Sequence, residues 1–185
     1  MTVRDSAIEL LTDWRAPNSA QDSLRHAVLA FLNARTDACQ RSCVAGHVTA
    51  SALVVSDSGD EVLLTLHPRL GRWVQLGGHC EPEDSDIVSA ALREATEESG
   101  IEGLSIEADL GAIHVHPVTC SLGVPTRHLD LQFIARAPAQ ARIAISDESL
   151  DLRWWSPDEL PEGSDAALAH LVAVALPQFP ASGHL

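Results

Sequence analysis

The sequence of 185 residues lacks any apolar run of the ~20 residues that a membrane-spanning helix needs. Its first residues, Met-Thr-Val-Arg-Asp-Ser, lack the layout of a secretory signal. Basic residues are scarce, with 12 Lys and Arg against 26 Asp and Glu and a formal net charge of −14. This balance disfavours duplex nucleic acid and anionic membranes as main partners. We therefore expect a cytoplasmic protein with neither a nucleic-acid duplex nor a membrane among its partners.

Cysteine is also scarce, and the four cysteines are irregularly spaced. Cys39 and Cys43 have no second pair at the spacing of a zinc site, and thiols in a chain without a secretory signal are expected to be reduced. Repeats and low-complexity segments are missing as well. A hydrophobic content of 45% and a charged content of 21% are ordinary for a globular protein. The length suits one domain and is too short for two typical ones.

The residues that suggest a functional site are concentrated between Leu76 and Ile101. Two glycines near the start permit a tight turn or a close approach to a ligand. Acidic residues follow, and either Asp84 or Ser85 suits the N-cap of a helix that ends at Gly100, a residue typical of a helix C-terminus. One face of this helix is apolar, and it comprises Ile87, Val88, Ala91, Leu92 and Ala95.

Three carboxylates share a second arc of this helix. Glu94, Glu97 and Glu98 stand at i, i+3 and i+4, and therefore within about 100° of one another. Like charges at this spacing repel, but a divalent cation among them turns repulsion into attraction. Clustered hard oxygens suit Mg²⁺ or Mn²⁺. The alternative is a solvent-exposed acidic face, because most runs of charged residues are of this kind.

The segment Gly78–Ile101 resembles the Nudix box, G-x5-E-x7-R-E-U-x-E-E-x-G-U, where U is aliphatic. The second half matches closely as Arg-Glu-Ala-Thr-Glu-Glu-Ser-Gly-Ile from Arg93. The first half departs from the pattern. Asp84 stands where the motif has Glu, with Glu83 as the alternative, and eight residues instead of seven separate Asp84 from Arg93.

The resemblance implies an α/β fold, a Nudix-like α/β/α sandwich with a mixed β-sheet. We expect this domain at residues 43–178, after an N-terminal helical extension at 1–42 and before a C-terminal tail at 179–185. The extension is expected to cover the core or to form the contact of a homodimer. In the order of the chain, we expect helices at 6–15 and 20–35, strands at 47–56, 61–66, 73–76, 104–118, 127–137 and 153–155, a helical turn at 156–160 and a helix at 164–176.

The resemblance also implies roles for individual residues. Arg93 would hold a carboxylate in place, and either Glu98 or Glu148 would be the general base. The expected ligands of Mg²⁺ or Mn²⁺ are Gly78, Asp84, Glu94, Glu97 and Glu98.

Substrate-binding candidates come from a basic loop and from histidines. Arg69 and Arg72 suit phosphate, although surface arginines often serve only solubility. The other candidates are His79, His116 and His128. Alternation in 127–137 places His128, Asp130 and Gln132 on one face, which lines either a ligand cleft or the solvent.

These residues predict a metal-dependent hydrolase that cleaves a pyrophosphate bond in a nucleoside diphosphate linked to another moiety. One alternative keeps the fold and changes the reaction, because Gly78-His79-Cys80 is similar to the glycine, histidine and cysteine pattern of isopentenyl diphosphate isomerases. A second alternative is a nucleotide-binding regulator without catalysis.

Overall fold

A computed structural model describes residues 1–119, 123–147 and 149–177 of the chain. The helices are α1 (Val3–Asp13), α2 (Ser19–Ala34), α3 (Ile87–Ser99) and α4 (Ala166–Ala175). The strands are β1 (His47–Val55), β2 (Val62–His67), β3 (Arg72–Val74), β4 (Leu76–His79), β5 (Ser105–Ile106), β6 (Ala112–Thr119), β7 (Pro125–Arg136) and β8 (Asp151–Trp155). Within these ranges, none of the helices has the length and apolarity that would let it cross a membrane.

The eight strands form one mixed sheet around β1, which is buried along its whole length. Strand β1 runs antiparallel to β2 and β4 and parallel to β7. On the far side of β7 lie β5 and β6, and β2 also carries β3 and β8. Strands β1 and β2 form a hairpin. Strand β1 is apolar over residues 52–55, whereas its first half alternates, with His47, Thr49 and Ser51 as the polar residues.

Helices cover both faces of the sheet, which confirms the predicted α/β/α sandwich. Helices α1, α2 and α3 share one apolar cluster with Phe133 and Leu131 of β7. Helix α4 packs on the other face through Leu168 and Leu171. The N-terminal helices are tied to the core by polar contacts too. The side chain of Gln21 donates to the Ile113 carbonyl at 3.0 Å and accepts from its N–H at 2.8 Å.

The start of α3 differs from the prediction. Its N-cap is Asp86, which accepts from the Ser89 N–H at 2.7 Å while Ser89 Oγ accepts from the Asp86 N–H at 3.0 Å. Asp84 and Ser85 are therefore the wrong residues for the cap. Asp84 instead accepts from the Glu81 N–H at 2.8 Å and pairs with Arg93. The C-terminus is as expected, with Gly100 in the left-handed region at φ 66°.

Three other predictions need correction. The glycines after Leu76 do not turn, because both belong to the extended strand β4, which pairs with β1. The strand expected at 104–118 is split. Between β5 and β6, the N–H groups of Glu107 and Gly111 donate to the Ile134 and Gln132 carbonyls of β7. Residues 156–160 form a hydrogen-bonded turn rather than a helix, closed by the Glu159 N–H on the Ser156 carbonyl at 3.0 Å.

Candidate active site

Two carboxylates of α3 lie against the glycines of β4. Glu98 accepts a hydrogen bond from the Gly77 N–H at 2.9 Å. A Cβ atom on Gly78 would come within 2.6 Å of a carboxylate oxygen of Glu94. Glu94 and Glu98 are only 8% and 5% exposed. The glycines therefore allow the strand and the carboxylates of α3 to approach closely, whereas the close approach to a ligand that the sequence suggested stays a prediction.

Glu97 behaves differently from its two neighbours on the arc, because its side chain is 61% exposed. The helical spacing places all three on one arc, as predicted, but the packing of α3 on β4 buries only two of them. Oxygen atoms of carboxylates and of the glycine backbone are hard donors, the kind that Mg²⁺ and Mn²⁺ prefer. The residues present thus fit a divalent cation between α3 and β4, with Glu97 at the solvent edge.

Arg93 connects this group to the loop before α3. Its guanidinium donates to both carboxylate oxygens of Asp84, at 2.8 and 3.0 Å, and to Glu94 at 3.1 Å and Glu97 at 3.0 Å. It also donates to the His79 carbonyl at 2.9 Å. The hydrogen bond with Asp84 raises the pKa of Arg93 further above its ordinary value. Both carboxylate oxygens of Asp84 accept hydrogen bonds from Arg93. The role of Asp84 as a metal ligand stays a prediction.

Replacing Arg93 with Lys is expected to lower turnover about tenfold and to reduce the free energy of unfolding by about 1–2 kcal/mol, because an ammonium cannot reproduce the planar fork that holds Asp84 and Glu94. Steady-state kinetics and denaturant unfolding measure the two effects. Arg142→Lys is the control, since Arg142 is exposed. Equal behaviour of the two variants would contradict the positioning role.

A cleft of about 390 Å³ opens beside the carboxylates. Glu98, Gly77 and Gly78 contribute to one wall. The substrate-binding candidates all line the same cleft, namely Arg69, Arg72, His79, His116 and His128. Arg72 is also paired with Asp165, the N-cap residue of α4, at 2.8 Å. The structure thus brings these candidates together, and their role in binding substrate stays a prediction.

The general-base candidate Glu148 lies outside the described residues. Its neighbour Asp147 lines the cleft.

Asp130 of β7 was identified in the sequence only as one member of a polar face, without a role of its own. It is 4% exposed, and its carboxylate accepts from Ser51 Oγ at 2.7 Å and Thr49 Oγ1 at 2.9 Å. The side-chain amides of Gln75 and Gln132 approach it at 3.2 Å. The polar face of β7 therefore lines the cleft rather than the solvent, and the period-two alternation was the signal for it.

Histidines from three strands meet at the far end of β4. Nε2 of His79 lies 3.0 Å from Nε2 of His47, and the ring of His128 lies 4.9 Å from the ring of His47 between centroids. Burial lowers the pKa of His79 to about 4 and that of His128 to about 3. These imidazoles are therefore neutral at pH 7.

The chain is similar to known proteins in sequence and in structure. The sequence model of the NUDIX domain matches residues 46–175. A hydrolase of the NUDIX family from Clostridium perfringens is similar in structure, with a TM-score of 0.55 and 25% identity, over 71% of this chain and 97% of that one. Comparison with curated proteins finds no match.

Two further solved structures share the fold. The Ap4A hydrolase of C. elegans, in a binary complex, has a TM-score of 0.52 and 22% identity over 69% of this chain and 93% of that one. The dihydroneopterin triphosphate pyrophosphohydrolase of E. coli has a TM-score of 0.53 and 21% identity, over 68% of this chain and 91% of that one. At these identities the likeness shows the fold alone.

Proposed function

The chain belongs to the NUDIX domain family and is a Nudix-type pyrophosphohydrolase, and we propose that its substrate is a nucleoside diphosphate linked to another moiety. The observation that carries the proposal is the burial of Glu94 and Glu98 against Gly77 and Gly78, beside a cleft lined by arginine and histidine. A cleft lined by the carboxylate of Glu98 together with arginines and histidines suits a metal-bound diphosphate.

We propose that Glu94, Glu97, Glu98 and the carbonyl oxygen of Gly78 hold Mg²⁺ or Mn²⁺. Such an ion, when bound, neutralises phosphate oxygens and activates the attacking water. Arg93 keeps Glu94 in place and fixes Asp84 against the start of α3. Arg69 and Arg72 line the cleft, where their guanidinium groups suit phosphate oxygens.

A general base must remove a proton from the attacking water, and two residues are candidates. Glu98 lies in the cleft wall with one carboxylate oxygen on the Gly77 N–H. A charged carboxylate in this position can accept a proton from water. We propose Glu98 first, with Glu148 as the second candidate.

The test is a substrate panel. Nucleotide sugars, ADP-ribose, dinucleoside polyphosphates and nucleoside triphosphates are incubated with the protein and Mg²⁺ or Mn²⁺, and released products are identified by chromatography. We expect cleavage of a diphosphate-linked substrate that stops with a chelator and returns with added metal. Binding without any cleavage would favour the regulator, and cleavage that persists in chelator would contradict the proposed metal dependence.

The isomerase alternative depends on Cys80. Its Sγ lies 3.8 Å from the Val48 carbonyl and packs against the main apolar cluster, and Cys80 is outside the set of described residues that line the cleft. A hydrogen bond with Cys39 and burial raise the pKa of the Cys80 thiol. A thiol in such surroundings is chemically inert.

Replacing Cys80 with Ala is therefore expected to leave hydrolytic turnover within about twofold of wild type and to reduce stability by about 1 kcal/mol through lost packing. Product analysis with the best substrate of the panel measures the first effect, and thermal unfolding the second. Loss of activity with the fold intact would support the isomerase alternative.

We also propose a cytoplasmic location, which the free thiols of Cys39, Cys43 and Cys80 support, and a homodimer as a candidate assembly of the N-terminal helices. Light scattering at several protein concentrations tests the dimer. A monomer at all concentrations would contradict it.

A further inference from the structure

Three histidines form a group at the cleft, and two of them, His79 and His128, line it. His79 is the last residue of β4, His47 is the first of β1, and His128 lies opposite His47 in the parallel pairing of β1 with β7. These three strands are neighbours in the sheet. The register therefore fixes all three histidines at one site, independently of loop conformation.

The three rings are arranged as metal ligands are. One nitrogen from each lies within 4.8 Å of the other two, and the ring centroids are 4.9 to 5.1 Å apart. The Nε2 atoms of His47 and His79 are 3.0 Å apart. Two nitrogens bound at 2.0–2.1 Å to one tetrahedral Zn²⁺ are separated by roughly 3.3 Å. Small side-chain adjustments thus bring the three nitrogens to a common ion.

A hydrogen bond determines which ring nitrogen of His47 is available to bind a metal ion. Nδ1 of His47 lies 3.3 Å from the Cys43 carbonyl, which can only accept, so this nitrogen carries the proton and Nε2 carries the lone pair. A backbone carbonyl on the second nitrogen is the usual support of a metal-bound histidine.

A pair of neutral histidines would also explain the contact between His47 and His79, but it leaves His128 unexplained. Nε2 of His128 is buried and has no hydrogen-bond partner among residues 1–119, 123–147 and 149–177. The same holds for Nδ1 of His116, whose ring lies 5.3 Å from that of His128. An unpaired buried polar atom is costly, and a bound cation would give Nε2 of His128 a partner.

From this geometry we propose that His47, His79 and His128 form a second metal site that binds Zn²⁺ or a similar borderline divalent ion. Imidazole nitrogens suit Zn²⁺, whereas Mg²⁺ prefers the oxygen donors of α3. The two sites are separate, because Gly77, which touches Glu98, precedes His79 by two strand residues, or about 7 Å. Three protein ligands leave a fourth position for water or a phosphate oxygen from the cleft.

The experiment is a Zn²⁺ titration of the full-length protein after chelator treatment, followed by calorimetry in excess Mg²⁺. We expect one Zn²⁺ per chain. Co²⁺ then serves as a visible probe, because nitrogen-bound tetrahedral Co²⁺ absorbs far more strongly than Co²⁺ in oxygen sites. His79→Asn and His128→Asn are expected to weaken Zn²⁺ binding at least about tenfold and to remove the Co²⁺ bands.

Two controls make the result specific. His26→Asn changes an exposed histidine of α2 and is expected to leave Zn²⁺ affinity unchanged. Glu98→Gln is expected to keep both the Zn²⁺ and the Co²⁺ signal, which separates this site from the carboxylates. The proposal is overturned if the His79 and His128 variants bind Zn²⁺ like wild type, or if Glu98→Gln abolishes binding. Circular dichroism without metal checks the fold, and His79→Gln repeats the test if His79→Asn is unfolded.

Discussion

Replacing Glu98 with Gln is expected to reduce turnover roughly 10²- to 10⁴-fold while the protein remains folded. Gln keeps the volume of the side chain and an oxygen that can accept from the Gly77 N–H. It loses the charge that we propose binds a cation and the basicity that we propose takes a proton from water. Steady-state kinetics with the best substrate at saturating Mg²⁺, together with thermal unfolding, measures both parts of the expectation.

The matched control is Glu102→Gln, which removes a carboxylate from the exposed segment after α3 and is expected to change turnover less than twofold. Glu97→Gln is expected to fall between the two, because the Glu97 side chain is 61% exposed and ends at the solvent edge. If Glu98→Gln retained wild-type turnover in saturating metal, Glu98 would be neither a required ligand nor the base.

The acidic part of this site was predictable because its spacing is local. Positions i, i+3 and i+4 share an arc of any α-helix, so Glu94, Glu97 and Glu98 could be placed together without a tertiary structure. The N-cap could not be chosen in the same way. Asp84, Ser85 and Asp86 all have capping side chains. In the structure Asp84 pairs with Arg93, nine residues further along the chain, and Asp86 caps the helix.

The remaining walls of the cleft come from contacts across the sheet. Asp130 and Ser51 meet because β1 and β7 run parallel, and His47 is placed opposite His128 by the register of the same pair. Long stretches of sequence separate these partners, and periodicity within one strand indicates a polar face without naming its neighbours. The two glycines after Leu76 illustrate the same limit. Their composition suggested a turn, and pairing with β1 made them a strand.

Substituting Ala at Gly78 is expected to lower turnover about 100-fold at a cost of less than about 1 kcal/mol in stability. The new Cβ would lie 2.6 to 2.7 Å from the carboxylate atoms of Glu94, which must therefore move. The end of a flexible side chain can move cheaply, so the fold survives. The carboxylate is displaced, however, and a misplacement of about 1 Å in a catalytic group costs roughly 10²-fold.

The neighbouring substitution, Gly77→Ala, provides the contrast. There the Cβ would meet Cβ and Cα of Ser51 at 2.3 and 2.5 Å and the Ala50 carbonyl at 2.7 Å, and φ is +155°. The obstacle is the backbone of β1 in the middle of the sheet, so we expect a loss of about 2–5 kcal/mol in unfolding free energy. Denaturant unfolding and kinetics on both variants separate the effects. A Gly78 variant that is as destabilised as the Gly77 variant would show that Glu94 cannot move away cheaply, and a fully active Gly78 variant would show that Glu94 does not depend on the open space at Gly78.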